Sequence, residues 1–168
     1  MLRDKSLIPL SHQHQHALAM CVRIDRAVQA GEVDLPAWQA EIHHPFEQEI
    51  RIHFEAEEKV LFPVAVRAGL EALVKELLED HAVLREYFGS AAAQMMDFSN
   101  LHAFATRLSA HIRKEERQLF EEMQKLLSSA EMSAIGSALD KELATATVAC
   151  AVPNDSTRLR SKAELEKL

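Results

Sequence analysis

Apolar side chains recur at steps of three and four residues along most of the chain, which is the spacing of one face of an α-helix. Four long stripes of this kind cover residues 7–28, 46–64, 74–95 and 101–119. Only short connections separate them. The pattern therefore predicts an all-α chain whose four long helices form an up-down-up-down four-helix bundle.

Residues that start, stop or bend helices stand near the ends of these stripes. Gly31 follows the first helix, Asp34-Leu-Pro36 opens the second, Gly69 separates the second from the third, and Asp97 caps the fourth. Proline interrupts helical hydrogen bonding, so two prolines are expected to bend or bound the second helix: Pro45 and Pro63.

The chain changes character after the fourth helix. Ser128 and Glu131 form a capping-box sequence, which predicts a short fifth helix that ends near Ala144. Asn154 is then placed to cap a further short helix over residues 157–168. The predicted organisation is a bundle with its short fifth helix over residues 1–144, followed by a C-terminal tail over residues 145–168.

Histidines interrupt the apolar stripes, one on each long helix: His14, His53, His81 and His111. A buried imidazole without a partner is costly, so four of them on core-facing stripes favour a shared ligand. The other histidines differ. His12 and His16 lie on the opposite helix face from His14 and are expected to face solvent. Glu41-x-x-His44 has the spacing of ferritin-like sites, but those sites use two copies and only this one is found.

A ten-residue pattern, H-x3-E-E-x2-L-F, occurs at residues 53–62 and again at residues 111–120. In each copy the histidine and the first glutamate are four residues apart, so they share one face of a helix. These pairs are His53 with Glu57 and His111 with Glu115. Imidazole and carboxylate are ligands of iron, manganese and zinc. Two such pairs facing each other predict a two-metal site with carboxylates between the ions.

The composition suits one globular domain and narrows the classes of partner. The chain has 168 residues, is 48% hydrophobic and carries a formal net charge of −7. That charge argues against nucleic acid or an anionic membrane as a partner, and no apolar run is long enough to span a membrane. Cys21 and Cys150 lie far apart without a C-x-x-C motif, which fits reduced thiols. With no secretory signal at the N-terminus, a cytoplasmic location is expected.

The chain resembles the hemerythrin-like (HHE cation-binding) family over roughly residues 7–143, through His14, His53-x3-Glu57, His81 and His111-x3-Glu115. The sequences His53-Phe-x-x-Glu57-Glu58-x-x-Leu-Phe-Pro63 and Asp80-His81-Ala-x-Leu-Arg85 are also typical of its bacterial members. The resemblance implies a non-haem di-iron centre with an oxygen- or hydroxide-derived bridge. It implies these metal ligands: His14, His53, Glu57, His81, His111 and Glu115.

The third helix departs from the oxygen-carrying hemerythrins, which have H-x3-H there. The second position is Arg85, whose guanidinium stays protonated and cannot coordinate a metal. We expect Arg85 to pair with an acid at the edge of the core. The remaining four histidines and two carboxylates resemble the repair-of-iron-centres branch, with two histidines on each ion and both carboxylates bridging. Open positions on the ions favour substrate or redox chemistry over reversible gas carriage.

The second bridging carboxylate has two candidates. The usual family pattern places it five residues after the histidine, at Glu116, whereas the internal repeat selects Glu115. At about 100° per residue, Glu115 lies about 40° from His111 around the helix and Glu116 about 140°. We therefore favour Glu115, and expect Glu116 to lie in solvent or beside a ligand. The sequence leaves open whether Glu49 or Tyr87 adds a ligand.

These features support one leading function and two others. The leading one is a non-haem di-iron protein that binds or reacts with O2 or NO, or handles iron under oxidative or nitrosative stress. Manganese and zinc are possible substitutes for iron, because carboxylate-rich sites accept several metals. An alternative is an iron- or oxygen-sensing module without catalysis, although no output domain is recognisable. A purely structural zinc site fits less well, since such sites favour four ligands, often with cysteine.

Overall fold

In a computed structural model, which describes residues 2–146 and 153–159, the chain forms five helices joined by short turns. They are α1 (Ile8–Ala30), α2 (residues 35–67), α3 (Glu71–Ala92), α4 (residues 98–126) and α5 (Ser129–Leu143). The predicted all-α bundle with a short fifth helix is confirmed. None of the described helices is both long and apolar enough to cross a membrane.

Two of the helices change their hydrogen-bonding pattern along their length. In α2, the π segments Phe46–Ile50 and Glu57–Leu61 alternate with the α-helical segments Leu35–Pro45, Arg51–Ala56 and Phe62–Arg67. In α4, the π segment Glu115–Leu119 separates Phe98–Lys114 from Phe120–Leu126. Pro45 and Pro63 flank the π segments of α2 and do not end the helix. The π segment of α4 has no proline beside it, so proline is not their common cause.

The predicted caps hold the helix ends. Gly31 follows α1 with a φ of 70°, a left-handed conformation that glycine adopts without strain. Asp34 and Asp97 each accept a hydrogen bond from the backbone N–H three residues on, at 3.1 and 2.7 Å. Ser128 and Glu131 form the reciprocal capping box at the start of α5. Local sequence therefore explains where these helices begin and end.

The prediction for Met95, at the end of the third stripe, is wrong. The third stripe predicts that Met95 faces the core, but α3 ends at Ala92 and Gln94 adopts a left-handed φ of 55°. As a result Met95 is 78% exposed and Met96 is buried instead. The backbone N–H of Met96 donates to Gln39 Oε1 at 2.9 Å. The turn, which the helical period does not describe, decides which methionine is buried.

The core consists of two apolar clusters with a polar layer between them. On α3, Leu77 belongs to one cluster, Leu84 to the other, and His81 stands between them. The same order holds on α1, where His14 separates Leu10 from Cys21. Burying one large apolar side chain stabilises a fold by roughly 1.5–3 kcal/mol. The clusters therefore hold the four long helices together on both sides of the histidines.

Helix α5 closes one end of the bundle against the turn that precedes α1. A Cβ atom added to Gly136 would lie 2.8 Å from Ser6 Oγ, so only glycine permits this close approach. Met132, Ile135 and Leu139 of α5 are buried in the same apolar cluster as Leu7. The short fifth helix thus completes the core at this end.

Part of the predicted tail contacts the bundle. The Asn154 side chain accepts hydrogen bonds from the backbone N–H groups of Ser156 and Thr157, at 2.8 and 3.2 Å, as a turn-forming asparagine does. Thr157 is 1% exposed, and its carbonyl oxygen accepts a hydrogen bond from Arg23 Nη1 at 3.0 Å. Most of the predicted helix over residues 157–168 lies outside the described residues, and so does Cys150.

Candidate metal centre

The six side chains predicted as ligands come together in the polar layer between the two apolar clusters. Their ligand-type atoms form two groups, and within each group the atoms lie within 4.8 Å of one another. All six residues are at most 4% exposed. One group contains His14, His53, Glu57 and Glu115, and the other contains Glu57, His81, His111 and Glu115. The two carboxylates therefore belong to both groups.

Glu57 lies between a histidine of each group. Its Oε1 atom is 3.2 Å from His53 Nε2, and its Oε2 atom is 3.4 Å from His81 Nε2. The Nε2 atoms of His14 and His53, which belong to the same group, are 3.1 Å apart. These imidazoles thus direct their Nε2 atoms at the carboxylate and at each other.

Glu115 also contacts two histidines, but through a single oxygen atom. Its Oε2 atom lies 3.2 Å from His14 Nε2 and 3.3 Å from His111 Nε2. Glu115, like Glu57, therefore touches one histidine of each group. A carboxylate in that position is placed to bridge two metal ions.

Both shared carboxylates stand at the first residue of a π turn. The N–H of Phe62 bonds to the carbonyl oxygen of Glu57, and the N–H of Phe120 bonds to that of Glu115, one residue further on than in an α-helix. The wider turn brings the phenylalanine onto the same face as the glutamate. Phe62 and Phe120 are accordingly buried with their glutamates, at 2% and 0% exposed. Single π turns inside helices frequently mark functional sites.

The Nδ1 atoms of the four histidines point away from the shared carboxylates and are called the outer nitrogens. Two of them contact the second glutamate of the repeated motif. His14 Nδ1 lies 2.7 Å from Glu116 Oε1, and His81 Nδ1 lies 2.7 Å from Glu58 Oε1. Each ring can donate its Nδ1 proton to the carboxylate. That contact leaves Nε2 free as a ligand and fixes the orientation of the ring.

The outer nitrogens of the other two histidines contact the residue that precedes a histidine on the neighbouring helix. His53 Nδ1 lies 2.7 Å from Gln13 Oε1. His111 Nδ1 lies 3.7 Å from Asp80 Oδ2, which is an electrostatic contact and not a hydrogen bond. Every histidine of the site therefore has an oxygen atom beside its outer nitrogen.

The carboxylates make His14 and His81 strongly basic. Burial alone would lower the pKa of His14, but contacts with Glu115 and Glu116 outweigh it and raise the pKa to about 10. Burial would likewise lower the pKa of His81, yet Glu57 and Glu58 raise it to about 9. Both imidazoles are therefore in the positively charged imidazolium form near neutral pH when no metal ion is bound.

The pKa values of two neighbouring acids shift downward instead. Burial would raise the pKa of Glu57, but the charges of His53 and His81 and contacts with them hold it well below its ordinary value. Glu116 behaves in the same way, since contacts with His14 and Ser11 outweigh burial and lower its pKa to about 2. Glu57 and Glu116 are therefore ionised beside the basic imidazoles of His14 and His81.

The inner atoms of the site suit a metal ion. Among the described residues, both carboxylate oxygens of Glu57 and of Glu115 are buried without a hydrogen bond of good geometry, and so are the Nε2 atoms of His81 and His111. A buried polar atom left without a partner costs about 1–3 kcal/mol. Metal ions would supply the partners that these atoms lack, and the nitrogen and oxygen donors suit iron, manganese or zinc.

Comparison with known proteins agrees with this geometry. The model of the hemerythrin HHE cation-binding domain matches residues 9–123, which include all six convergent residues. The chain belongs to the hemerythrin HHE cation-binding family. Neither the curated proteins nor the solved structures that were searched gave a match.

The structure of this HHE domain places Glu115, not Glu116, between the histidines. Glu115 is fully buried, whereas the side chain of Glu116 is 23% exposed and lies beside His14. This is the arrangement that the repeat and the helical angle favoured. The sequence reasoning did not identify Glu58, Gln13 or Asp80 as partners of the outer nitrogens. The doubled glutamate of the motif was the available signal for Glu58.

Arginines hold the two outer glutamates. Arg85 Nη1 donates to Glu58 Oε1 at 2.8 Å, which confirms that Arg85 pairs with an acid at the edge of the core. Arg3, from the segment before α1, forms the corresponding ion pair with Glu116. Each guanidinium also lies over an aromatic ring, with Arg85 5.5 Å from the centre of Phe54 and Arg3 4.9 Å from the centre of Phe120.

The two residues left open as further ligands have different positions. Tyr87 packs against Phe104, with ring centres 6.1 Å apart, in the apolar cluster beyond the site. Glu49 is 4% exposed and lines a cavity of about 30 Å³ together with His14, His53 and His111. Glu49 does not belong to either ligand group.

The remaining polar residues lie away from the ligand groups. His12 is exposed, as expected. Glu41 is buried and forms an ion pair with Arg23 of α1, whereas His44 is exposed. His16 is exposed too, as expected. Its side chain is 44% exposed, yet its Nδ1 atom lies 3.5 Å from the buried Glu49.

Proposed function

We propose that this HHE domain holds two iron ions and binds a small diatomic ligand, O2 or NO, at them. The observation that carries the proposal is the pair of overlapping ligand groups, which share Glu57 and Glu115. The four histidines would supply nitrogen ligands, and Glu57 and Glu115, which belong to both groups, would supply carboxylate ligands. Histidine and carboxylate sets of this kind are used by non-haem iron proteins that keep open positions. A role in handling iron under oxidative or nitrosative stress would use the same site.

The surrounding residues support binding of a small, weakly polar ligand. Phe54 stacks on His81 with ring centres 3.9 Å apart, and Phe120 stacks on His14 at 5.7 Å. Both rings are buried and exclude bulk water from the site. Bound iron would supply the positions at which such a ligand exchanges and the electrons that a redox reaction needs. The protein orients the imidazoles through Glu58 and Glu116.

The ligand set favours iron with open positions over a closed structural site. A structural zinc site is typically tetrahedral with four ligands of its own. Here two ions would share two of their ligands, and Arg85 occupies the place of a fifth histidine. The four-histidine, two-carboxylate set supports a relationship to the repair-of-iron-centres branch of the family.

Metal analysis of the purified protein tests the proposal. We expect two irons per chain after purification without added metal, and an optical spectrum that changes when the reduced protein meets NO or O2 in an anaerobic cell. His12→Ala serves as the control, because His12 is an exposed histidine of the same helix as His14. A single tetrahedral zinc, or iron whose spectrum ignores both gases, would contradict the proposal.

A further inference from the structure

The acids around the ligand groups differ in whether an arginine or lysine pairs with them. Three outward faces of the site carry cations that are paired with acids. Arg3 pairs with Glu116, Arg85 pairs with Glu58, and Arg107 and Lys114 both bond to Asp80, at 2.8 and 3.2 Å. On these faces the charge of each acid is already compensated, so a divalent cation would find no unpaired carboxylate among them. The side on which Glu49 lies is different.

Glu49 presents a carboxylate to the site without a paired arginine or lysine among the described residues. It occupies the place on α2, four residues before His53, that Arg107 occupies on α4, four residues before His111. Its side chain is 5% exposed, and its polar contact is His16 Nδ1 at 3.5 Å. A buried carboxylate costs free energy unless a cation or donors compensate its charge. This side of the bundle therefore attracts cations.

A cavity connects Glu49 to the ligand groups. Residues of α1, α2 and α4 line its volume of about 30 Å³, which is room for about two water molecules. Side-chain exposure falls along it, from 44% at His16 through 5% at Glu49 to 1% at His111. The cavity thus leads from the surface to the inner histidines, past one imidazole and one carboxylate.

We propose that Glu49 and His16 form an uptake site through which divalent metal ions reach the buried ligand groups. Two atoms that each lie about 2.0–2.2 Å from one first-row ion are about 3–3.5 Å apart. Glu49 Oε1 and His16 Nδ1 have that separation. The pair can hold an ion that has shed part of its water, before His14 and His53 receive it. This inference rests on the proposed metal centre and adds the route by which the centre is filled.

Stopped-flow mixing of the metal-free full-length protein with Co²⁺ tests the route, with visible absorption as the signal. We expect Glu49→Gln to slow uptake roughly tenfold or more, because the negative charge that attracts the cation into the cavity is gone. The final spectrum and the binding of two ions per chain should not change. Glu49→Asp, which keeps the carboxylate, should recover most of the rate. His16→Ala, at an exposed position, should slow uptake by a smaller factor.

Glu47→Gln is the matched control, since it removes the same charge from the same helix two residues away, at a side chain that is 53% exposed. We expect its uptake rate to equal that of the parent. Equal rates for Glu49→Gln and the parent would overturn the uptake site. A lower stoichiometry or an altered final spectrum in Glu49→Gln would also overturn it, because Glu49 would then be a resident ligand. If the parent itself binds no Co²⁺, the proposed metal centre fails instead.

Discussion

The half of the site that contains His14 and His53 differs from the half that contains His81 and His111 only outside the ligand atoms. Both halves have two histidines, and they share Glu57 and Glu115. In each half an arginine-bound glutamate holds one outer nitrogen. The remaining outer nitrogen faces the neutral Gln13 in the first half and the charged Asp80 in the second.

The difference shows how a repeated motif can produce two unlike environments. Asp80, with Arg107 and Lys114, closes the second half with paired charges. In the first half Gln13 carries no charge to pair with such cations, and Glu49 occupies the position on α2 that corresponds to Arg107 on α4. A cavity remains there. His53, Glu57, His111 and Glu115 follow the internal repeat, whereas the neighbouring residues make the two halves unlike.

Removing a shared carboxylate should have the largest effect, since it breaks both halves at once. In Glu57→Ala we expect the metal content to fall from two ions per chain to one or none. The melting temperature gained on metal binding should shrink with it, because bound metal stabilises the native state by mass action. Metal analysis and thermal unfolding with and without a chelator measure both effects.

Glu55→Ala is the control for this experiment, because Glu55 lies on the same helix with its side chain 54% exposed. It should change neither metal content nor the melting difference. Equal losses in the two variants would mean that position along the helix, and not ligation, explains the result.

The pH dependence of the metal-free protein should show the basic imidazole in each half. The pKa of His14 is about 10 and that of His81 is about 9, both above the value of about 6.5 expected in the unfolded chain. Their contribution to stability is therefore complete below pH 6.5 and is lost as the pH rises through 9 and 10. We expect the free energy of unfolding to fall by on the order of 2 kcal/mol or more over that interval.

Urea unfolding at a series of pH values measures this loss. Metal binding displaces the protons and requires neutral imidazoles, so the loaded protein should not show the same decline. The metal-free protein should also release protons when it takes up metal at pH 7, and a titration in weak buffer detects this release. An identical pH dependence with and without metal would contradict the assignment of these protons.

Exchanging the outer partners should sharpen the contrast between the halves. In Gln13→Glu the ring of His53 would donate to a carboxylate, as His14 and His81 already do, so its nitrogen becomes a stronger ligand. Changes to such outer partners alter metal affinity by about 10–100-fold. We expect the weaker of two binding steps to tighten by about tenfold in a calorimetric titration. Asp80→Asn should weaken one step instead.

Neighbouring exposed residues provide matched controls for this exchange. Gln15→Glu adds the same charge to α1 and Glu79→Gln removes one charge from α3, both at exposed positions. Neither should move a binding step. If Gln15→Glu tightened binding as much as Gln13→Glu, the effect would come from net charge and not from the contact with His53.

The two arginines should give the smallest effects. Arg3→Ala removes an ion pair and a contact that holds the N-terminal segment on α4, where Arg3 also bonds to Gln124 at 3.2 Å. Arg85→Ala removes only the pair with Glu58 and the contact with Phe54. Partly exposed ion pairs contribute about 0–1 kcal/mol. We expect losses of about 1 kcal/mol for Arg3→Ala and about 0.5 kcal/mol for Arg85→Ala in urea unfolding. A larger loss in Arg85→Ala would reverse this order.

The sequence by itself determined the helices, their caps and the six convergent side chains. Apolar steps of three and four residues specify a helix face, and one histidine on each face has nowhere to point except the centre of a bundle. The angle around a single helix was enough to prefer Glu115 over Glu116. That these six residues bind metal, and which metal, stays a prediction.

Only the tertiary structure decided the π turns, the partners of the outer nitrogens and the position of Glu49. Glu116 reaches His14 from a helix about a hundred residues away in sequence, and Gln13 reaches His53 across another interface. Such contacts depend on how far each helix is shifted and rotated against its neighbours. Local periodicity describes one helix at a time and carries no information on that offset, whereas packing of the two apolar clusters sets it.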